Sequence, residues 1–193
     1  MKLIELRSLS FSYLDCNLEN LFPVLINIWN DNKHSILTNV NLTDMYKIDQ
    51  LTGGAHFEKI IFYQANESGC IMLSNYADGM ESMTHIISSK LDTTILNFRI
   101  SSVHCLYPVN SLSCINNGKI QRVIYALKEN KWQFYSYGDP LWFESPENYK
   151  NKVIKNRINE NILTDYCAKL KLNITDSIFW KNNNAIVIER LIW

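Results

Sequence analysis

Residues 120–137, IQRVIYALKENKWQFYSY, decide the fold that the sequence predicts. Two apolar runs, 120–127 and 132–137, are separated by four polar residues. Short apolar runs on either side of a short polar connection are typical of a β-hairpin. Side chains alternate along a strand, so Trp132 and Phe134 are expected on a buried face of the second strand. Tyr135 and Tyr137 are then expected on a presented face.

The rest of the chain extends this pattern of hairpins and helices. Apolar runs at 57–65 and 70–76 flank the turn NESG and predict a second hairpin, and further strands are predicted at 3–13, 34–40, 94–100 and 185–192. Helical spacing predicts helices at 20–30, 43–51, 80–91 and 160–170, and Ser145-Pro146-Glu147 predicts a helix start that continues to Arg157. The expected fold is one α+β domain over residues 1–193. It has a mainly antiparallel sheet and about four helices packed largely on one face. The last strand, AIVIERLI, is too apolar for an exposed edge and is expected inside the sheet.

Charge and composition favour a globular protein over a nucleic-acid binder. Hydrophobic residues make up 47% of the chain, and the formal net charge is zero. The charge is divided, because residues 1–100 carry a net −4 and residues 101–193 a net +4. The one candidate for nucleic-acid contact is the basic run Lys150, Lys152, Lys155 and Arg157 beside Tyr149. A neutral chain favours a solvated helix face instead, so nucleic acid is not the expected partner.

The cysteines and the N-terminus bear on the compartment. Five cysteines, without CxxC spacing and mostly inside apolar runs, do not predict a disulfide framework. The first residues, MKLIELRSLSFSY, carry charges at Glu5 and Arg7 and lack the apolar core of a signal peptide. No apolar stretch approaches the roughly 18 residues that a membrane span needs. We therefore expect a cytoplasmic protein with no membrane partner.

Few residues are candidates for catalysis or metal binding. The histidines His34, His56, His85 and His104 show no HxH, HxxxH or HExxH spacing. His56 and Glu58 share one face of a predicted strand and form the best acid–base or metal pair. The enzymatic alternative is a hydrolase that uses His56 or Cys70. No GxSxG, P-loop or GxGxxG occurs, so we expect no catalytic residue, no metal and no cofactor.

The aromatic run around Trp132–Phe143 is the candidate contact surface. Exposed aromatic side chains beside charge are typical of binding hot spots. The predicted partner-binding residues are Tyr135, Tyr137, Trp142, Glu144 and Lys150, with Asp78 and Glu81 as acidic contacts for a basic partner surface. Self-association through the hairpin, in a structural module, is a further alternative.

The C-terminal part, from about Lys119 to Trp193, carries a family resemblance. It contains a strand ending in RVIYAL, then KWQFYSYGDPLWFE, a helix rich in Tyr and Lys, the helix ILTDYCAKL and a closing strand. In style and size it resembles small immunity-type proteins that are encoded beside bacterial toxins. That resemblance implies a single α+β domain that binds one toxin domain at its active site or beside it. It identifies no site residue. The function expected from the sequence is neutralisation of a cognate toxin by protein–protein contact.

Overall fold

The computed structural model describes residues 8–41, 58–102 and 104–192. Within them the strands are β1 (Ser8–Leu14), β2 (His34–Val40), β3 (Lys59–Gln64), β4 (Cys70–Ser74), β5 (Thr94–Ser101), β6 (Val109–Asn116), β7 (Lys119–Lys128), β8 (Trp132–Tyr137) and β9 (Ala185–Arg190). The helices are α1 (Leu18–Ile28), α2 (Glu81–Leu91) and α3 (Glu160–Lys169). Two short 3-10 turns are Pro146–Lys150 and Ile154–Asn156. The helix predicted at 43–51 and the candidate His56 lie outside the described residues.

All of these strands form one sheet, in the order β2-β9-β3-β4-β1-β5-β6-β7-β8. Each neighbouring pair is antiparallel, so the predicted α+β class with an antiparallel sheet is confirmed. The two predicted hairpins are β3–β4 and β7–β8. The apolar strand β9 lies between β2 and β3, which confirms its predicted place inside the sheet.

Helices cover both faces of the sheet, and the prediction that they pack largely on one face is wrong. On one face, α1 and α2 bury Leu21, Leu25 and Ile87 in a core with Phe62. On the other, α3 and the segments around it bury a second core. The cause lies in the central strands, because successive residues of β3 and β4 are apolar and buried. Such strands need cover on both sides. The described residues contain three α-helices, where about four were expected.

The helix predicted from Ser145 to Arg157 does not form. Its residues make the two 3-10 turns, separated by an extended Asn151 with φ −57° and ψ 135°. The Ser145 side chain makes no capping hydrogen bond, and its backbone N–H donates to the Tyr166 hydroxyl at 3.0 Å. The Tyr149 ring packs on Phe134, with ring centroids 6.1 Å apart. Tertiary contacts therefore override the local helix signal.

Candidate binding surface

Three tyrosines lie together on one face of the β7–β8 hairpin. The register places Tyr125 opposite Tyr135 and Val123 opposite Tyr137. The rings of Tyr125 and Tyr135 stack, with centroids 5.4 Å apart and planes at 24°. Tyr135 is 46% exposed and Tyr137 is 54% exposed. We call Tyr125, Tyr135 and Tyr137 the tyrosine face.

The tyrosine face is open because the covering layers stop short of it. On its side of the sheet, α1 and α2 contact β3, β5 and β6. The turn Ile154–Asn156 contacts β7 and β8 from the opposite side, where the Arg157 guanidinium lies 5.0 Å from the Phe134 ring centroid. The other side chains of β8, Trp132 and Phe134, are half-buried against the core. The division of β8 into a packed and a presented face is as the alternation predicts.

The tyrosine face continues across the sheet into a polar row. Register pairs Ser10 with Arg99, Arg99 with Ser111, Ser111 with Tyr125 and Tyr125 with Tyr135. Paired residues point to the same side of a sheet, so all five share one face. Four strand spacings of about 4.8 Å make this row about 19 Å wide. None of the five is fully buried, and among the ion pairs of the described residues Arg99 takes no part. A partner would therefore meet aromatic rings beside a guanidinium that forms no ion pair with any described side chain.

A buried ion pair behind the hairpin fixes its position. The side chains of Arg122 and Glu144 are 1% and 0% exposed. Arg122 Nε donates to Glu144 Oε1 at 3.0 Å, and Arg122 Nη2 donates to Oε2 at 2.8 Å. Arg122 Nη1 also donates to the Ser136 hydroxyl at 2.7 Å and to the carbonyls of Tyr137 and Gly138, both at 2.9 Å. These hydrogen bonds hold the end of β8 against the chain segment that follows it.

Glu144 is fully engaged inside the protein, so its prediction as a partner contact is wrong. Besides Arg122, it accepts the Leu141 backbone N–H at 2.9 Å and the Tyr149 hydroxyl at 2.6 Å. Burial alone would lower the pKa of Arg122, but the hydrogen bond and charge of Glu144 outweigh it and raise that pKa. Burial is the main cause that raises the pKa of Tyr149, and its hydrogen bonds with Glu144 and Tyr166 raise that pKa further. Sequence reasoning missed this because Glu144 lies in the connection that follows β8, and a charged residue in a connection is normally expected in solvent.

Trp142 lies on a different surface from the tyrosines. It is 77% exposed, and its ring meets buried Phe143 edge to face at 5.5 Å. It borders a groove of about 820 Å³ together with Leu96, Lys169 and Lys171. Leu96 belongs to the core on the side of the sheet opposite the tyrosine face. The structure therefore divides the predicted aromatic surface into two.

Two other residues predicted to contact a partner, Lys150 and Asp78, also lie apart from the tyrosine face. Lys150 is exposed and follows Tyr149 in the chain. The Tyr149 ring packs on Phe134, so this segment lies on the side of the sheet opposite the tyrosine face. Asp78 is exposed beside Gly79, which approaches Ser10 at the far end of the polar row.

Glu81, predicted as an acidic partner contact, is half-buried, and its carboxylate is hydrogen-bonded to side chains of the sheet. Its Oε1 accepts the Ser113 hydroxyl at 2.5 Å and the Asn97 amide at 3.4 Å. Asn97 is buried and also donates to Thr84. This cluster satisfies polar groups beneath α2, where the sheet is not wholly apolar.

In the described part of the chain, the candidate histidines and cysteines have separate partners. His34 Nδ1 lies 2.7 Å from Asp31, and His85 Nδ1 lies 3.0 Å from the Gly118 carbonyl. Contact with Cys16, together with burial, raises the pKa of Cys70. Burial, and then the charge of Glu144, raises the pKa of Cys114 to about 11. The parts of the chain that the structure describes hold no group of three or more His, Cys, Asp or Glu side chains that could bind a metal ion.

Comparison with known proteins yields no relative. No family model matches the chain, and no curated protein or solved structure matches it. Among the described helices, none is both long and apolar enough to cross a membrane.

Proposed function

We propose that this chain is an immunity-type protein that neutralises a cognate bacterial toxin by binding it through the tyrosine face. The observation that carries the proposal is the stacked pair Tyr125–Tyr135 with Tyr137 beside it, half-exposed on an uncovered part of the sheet. The resemblance of the C-terminal part to immunity-type proteins supplies the class of partner.

The physics of tyrosine supports a contact role for this face. A tyrosine side chain has two rotatable bonds, so it buries a large ring at a small cost in conformational entropy. Here the strands hold the backbone, and stacking with Tyr125 restricts the Tyr135 ring further. Anchors that are ordered before binding lose less entropy when a partner arrives. The exposed rings are therefore suited to serve as hot spots.

Charge favours a partner surface that is acidic opposite the tyrosines. The face lies on residues 101–193, which carry a net +4, and Arg99 is its nearest neighbour across β6. Complementary charge raises the association rate more than it raises affinity. Arg99→Glu should therefore slow association by about tenfold at low salt, and this effect should shrink as salt is added.

Co-expression with the toxin encoded beside this gene tests the proposal. The wild-type chain is expected to protect cells and to elute with the toxin in gel filtration. Tyr137→Ala should weaken the complex by about 30-fold, the loss expected at a hot spot. Tyr76→Ala is the matched control, because Tyr76 is 42% exposed and lies near β4, five strands from β8. Failure of the wild-type chain to protect cells or to form a complex would refute the function.

The variant Trp142→Ala distinguishes binding through the tyrosine face from binding through the surface around Trp142. The proposal expects this variant to bind the toxin as wild type does, since Trp142 borders the groove on the opposite side. Loss of binding in Trp142→Ala, with Tyr137→Ala unaffected, would move the contact to that groove and reject the tyrosine face.

A further inference from the structure

The outer edge of β8 is unusually suited to strand pairing. β8 is the last strand of the sheet, and its sequence, WQFYSY, contains neither a charged residue nor a proline. Its ladder with β7 runs without a register shift from Trp132 to Tyr137. Edge strands normally carry a charge, a proline or a bulge that prevents pairing with another chain.

The opposite edge of the same sheet shows such protection. In β2 the register with β9 shifts between Leu37 and Val40, and Asn39 adopts a left-handed φ of 58°. A bulge of this kind bends an edge strand and interrupts its row of outward hydrogen-bonding groups. The two edges therefore differ, and only β8 keeps a regular, uncharged ladder.

We propose that the outer edge of β8 pairs antiparallel with β8 of a second copy of this chain. The two copies are related by a two-fold axis perpendicular to the sheet, which lies between the two β8 strands, midway between Tyr135 of one copy and Tyr135 of the other. A rotation about this axis leaves the tyrosine face of both copies on the same side of the extended sheet. Because paired residues point to the same side, odd-numbered residues of one copy must lie opposite odd-numbered residues of the other. One residue of β8 must therefore lie opposite the same residue of the second copy, and we name the axis after that residue. With the axis at Tyr135, Gln133 lies opposite Tyr137 and Phe134 opposite Ser136.

Charges at the two ends of β8 select this register. Lys131 and Asp139 flank the strand at equal separations from Tyr135, and both are exposed. Among the ion pairs of the described residues, neither takes part. An axis at Tyr135 brings Lys131 of each copy beside Asp139 of the other, which is favourable.

The neighbouring registers lack this match. An axis at Phe134 would place Glu129 beside Asp139 of the second copy, and these two carboxylates repel. An axis at Ser136 would place Lys131 beside Leu141. Like charges opposite each other destabilise strand pairing, so the register at Tyr135 is preferred.

Pairing would extend the tyrosine face across both copies, because the two-fold axis keeps Tyr125 and Tyr135 of each copy on the same side. The self-pairing needs no toxin. It is therefore tested on the purified full-length chain, and its failure would leave the proposed toxin contact standing.

A single cysteine on the axis provides the test. Residues opposite each other in antiparallel strands have Cα atoms about 4.5–5.5 Å apart, within the range that a disulfide spans. Tyr135→Cys should therefore form a disulfide-linked dimer on mild oxidation, identified by mass spectrometry of the linked peptide. Gln133→Cys is the matched control, because its counterpart would lie about 13 Å away along the strand. A mixture of Gln133→Cys and Tyr137→Cys chains should cross-link to each other.

A charge reversal checks the register independently. Lys131→Glu should weaken the dimer about tenfold in sedimentation equilibrium, and adding Asp139→Lys should restore it. Circular dichroism confirms that each variant is folded. Two results would overturn the proposal. One is that Gln133→Cys alone cross-links as readily as Tyr135→Cys, and the other is that the wild-type chain stays monomeric at millimolar concentration. Protection of β8 amides from hydrogen exchange only after toxin is added would assign this edge to the toxin and overturn it as well.

Discussion

Removing Glu144 is expected to destabilise the fold severely while leaving the surface unchanged. Glu144→Gln keeps the size of the side chain but removes the counter-charge of Arg122, whose side chain is 1% exposed. Breaking a buried ion pair by removing one partner typically costs about 3–5 kcal/mol. The whole free energy of unfolding of a domain is about 5–15 kcal/mol. This one substitution should therefore remove about a fifth of the stability or more.

Equilibrium unfolding in urea measures that loss, and a double-mutant cycle isolates the pair. Arg122→Met with Glu144→Leu removes both charges, so its cost should fall below the sum of the single costs by about 2 kcal/mol or more. Asp165→Asn is the control, because Asp165 pairs with Lys169 at 3.0 Å while 58% exposed. An exposed pair of this kind contributes about 0.5 kcal/mol or less. If Glu144→Gln cost no more than Asp165→Asn, the claim that this pair holds the hairpin would be wrong.

Two further predictions concern backbone strain and thiol reactivity. Gly138→Ala should destabilise the protein by about 3 kcal/mol, because Gly138 has φ +76° and an added Cβ would lie 2.0 Å from the Gln121 carbonyl oxygen; urea unfolding checks this, and an unchanged midpoint would contradict it. Iodoacetamide at neutral pH should alkylate Cys16 before Cys70, because a hydrogen bond from Cys70 lowers the pKa of Cys16 and leaves more thiolate there, while Cys70 is buried. Mass spectrometry gives the order of labelling, and equal rates would contradict the assignment.

The β7–β8 hairpin and its two faces could be predicted from the sequence because they depend on local signals. Alternation in β8 separates Trp132 and Phe134 from Tyr135 and Tyr137, and the chain connection sets the pairing. Tyr125 was missed as a member of the surface. The same hairpin register, continued back along β7, would have placed it opposite Tyr135.

The features that sequence reasoning missed depend on contacts between distant residues. Arg122 and Glu144 are 22 positions apart, and nothing local shows that each would be buried by the other. Ser145-Pro146-Glu147 has the composition of a helix start, yet contacts of Tyr149 with Phe134 and Glu144 hold the segment in 3-10 turns. Local propensity is a weak guide where tertiary packing decides the backbone.

Isothermal titration of the purified toxin domain into this chain most directly tests the claim that the tyrosine face is the contact surface. We expect Tyr135→Ala and Tyr137→Ala each to raise Kd by about 30-fold, equivalent to about 2 kcal/mol. Tyr76→Ala and Trp142→Ala should leave Kd unchanged. Unchanged affinity in both Tyr135→Ala and Tyr137→Ala, with the fold intact by circular dichroism, would contradict it.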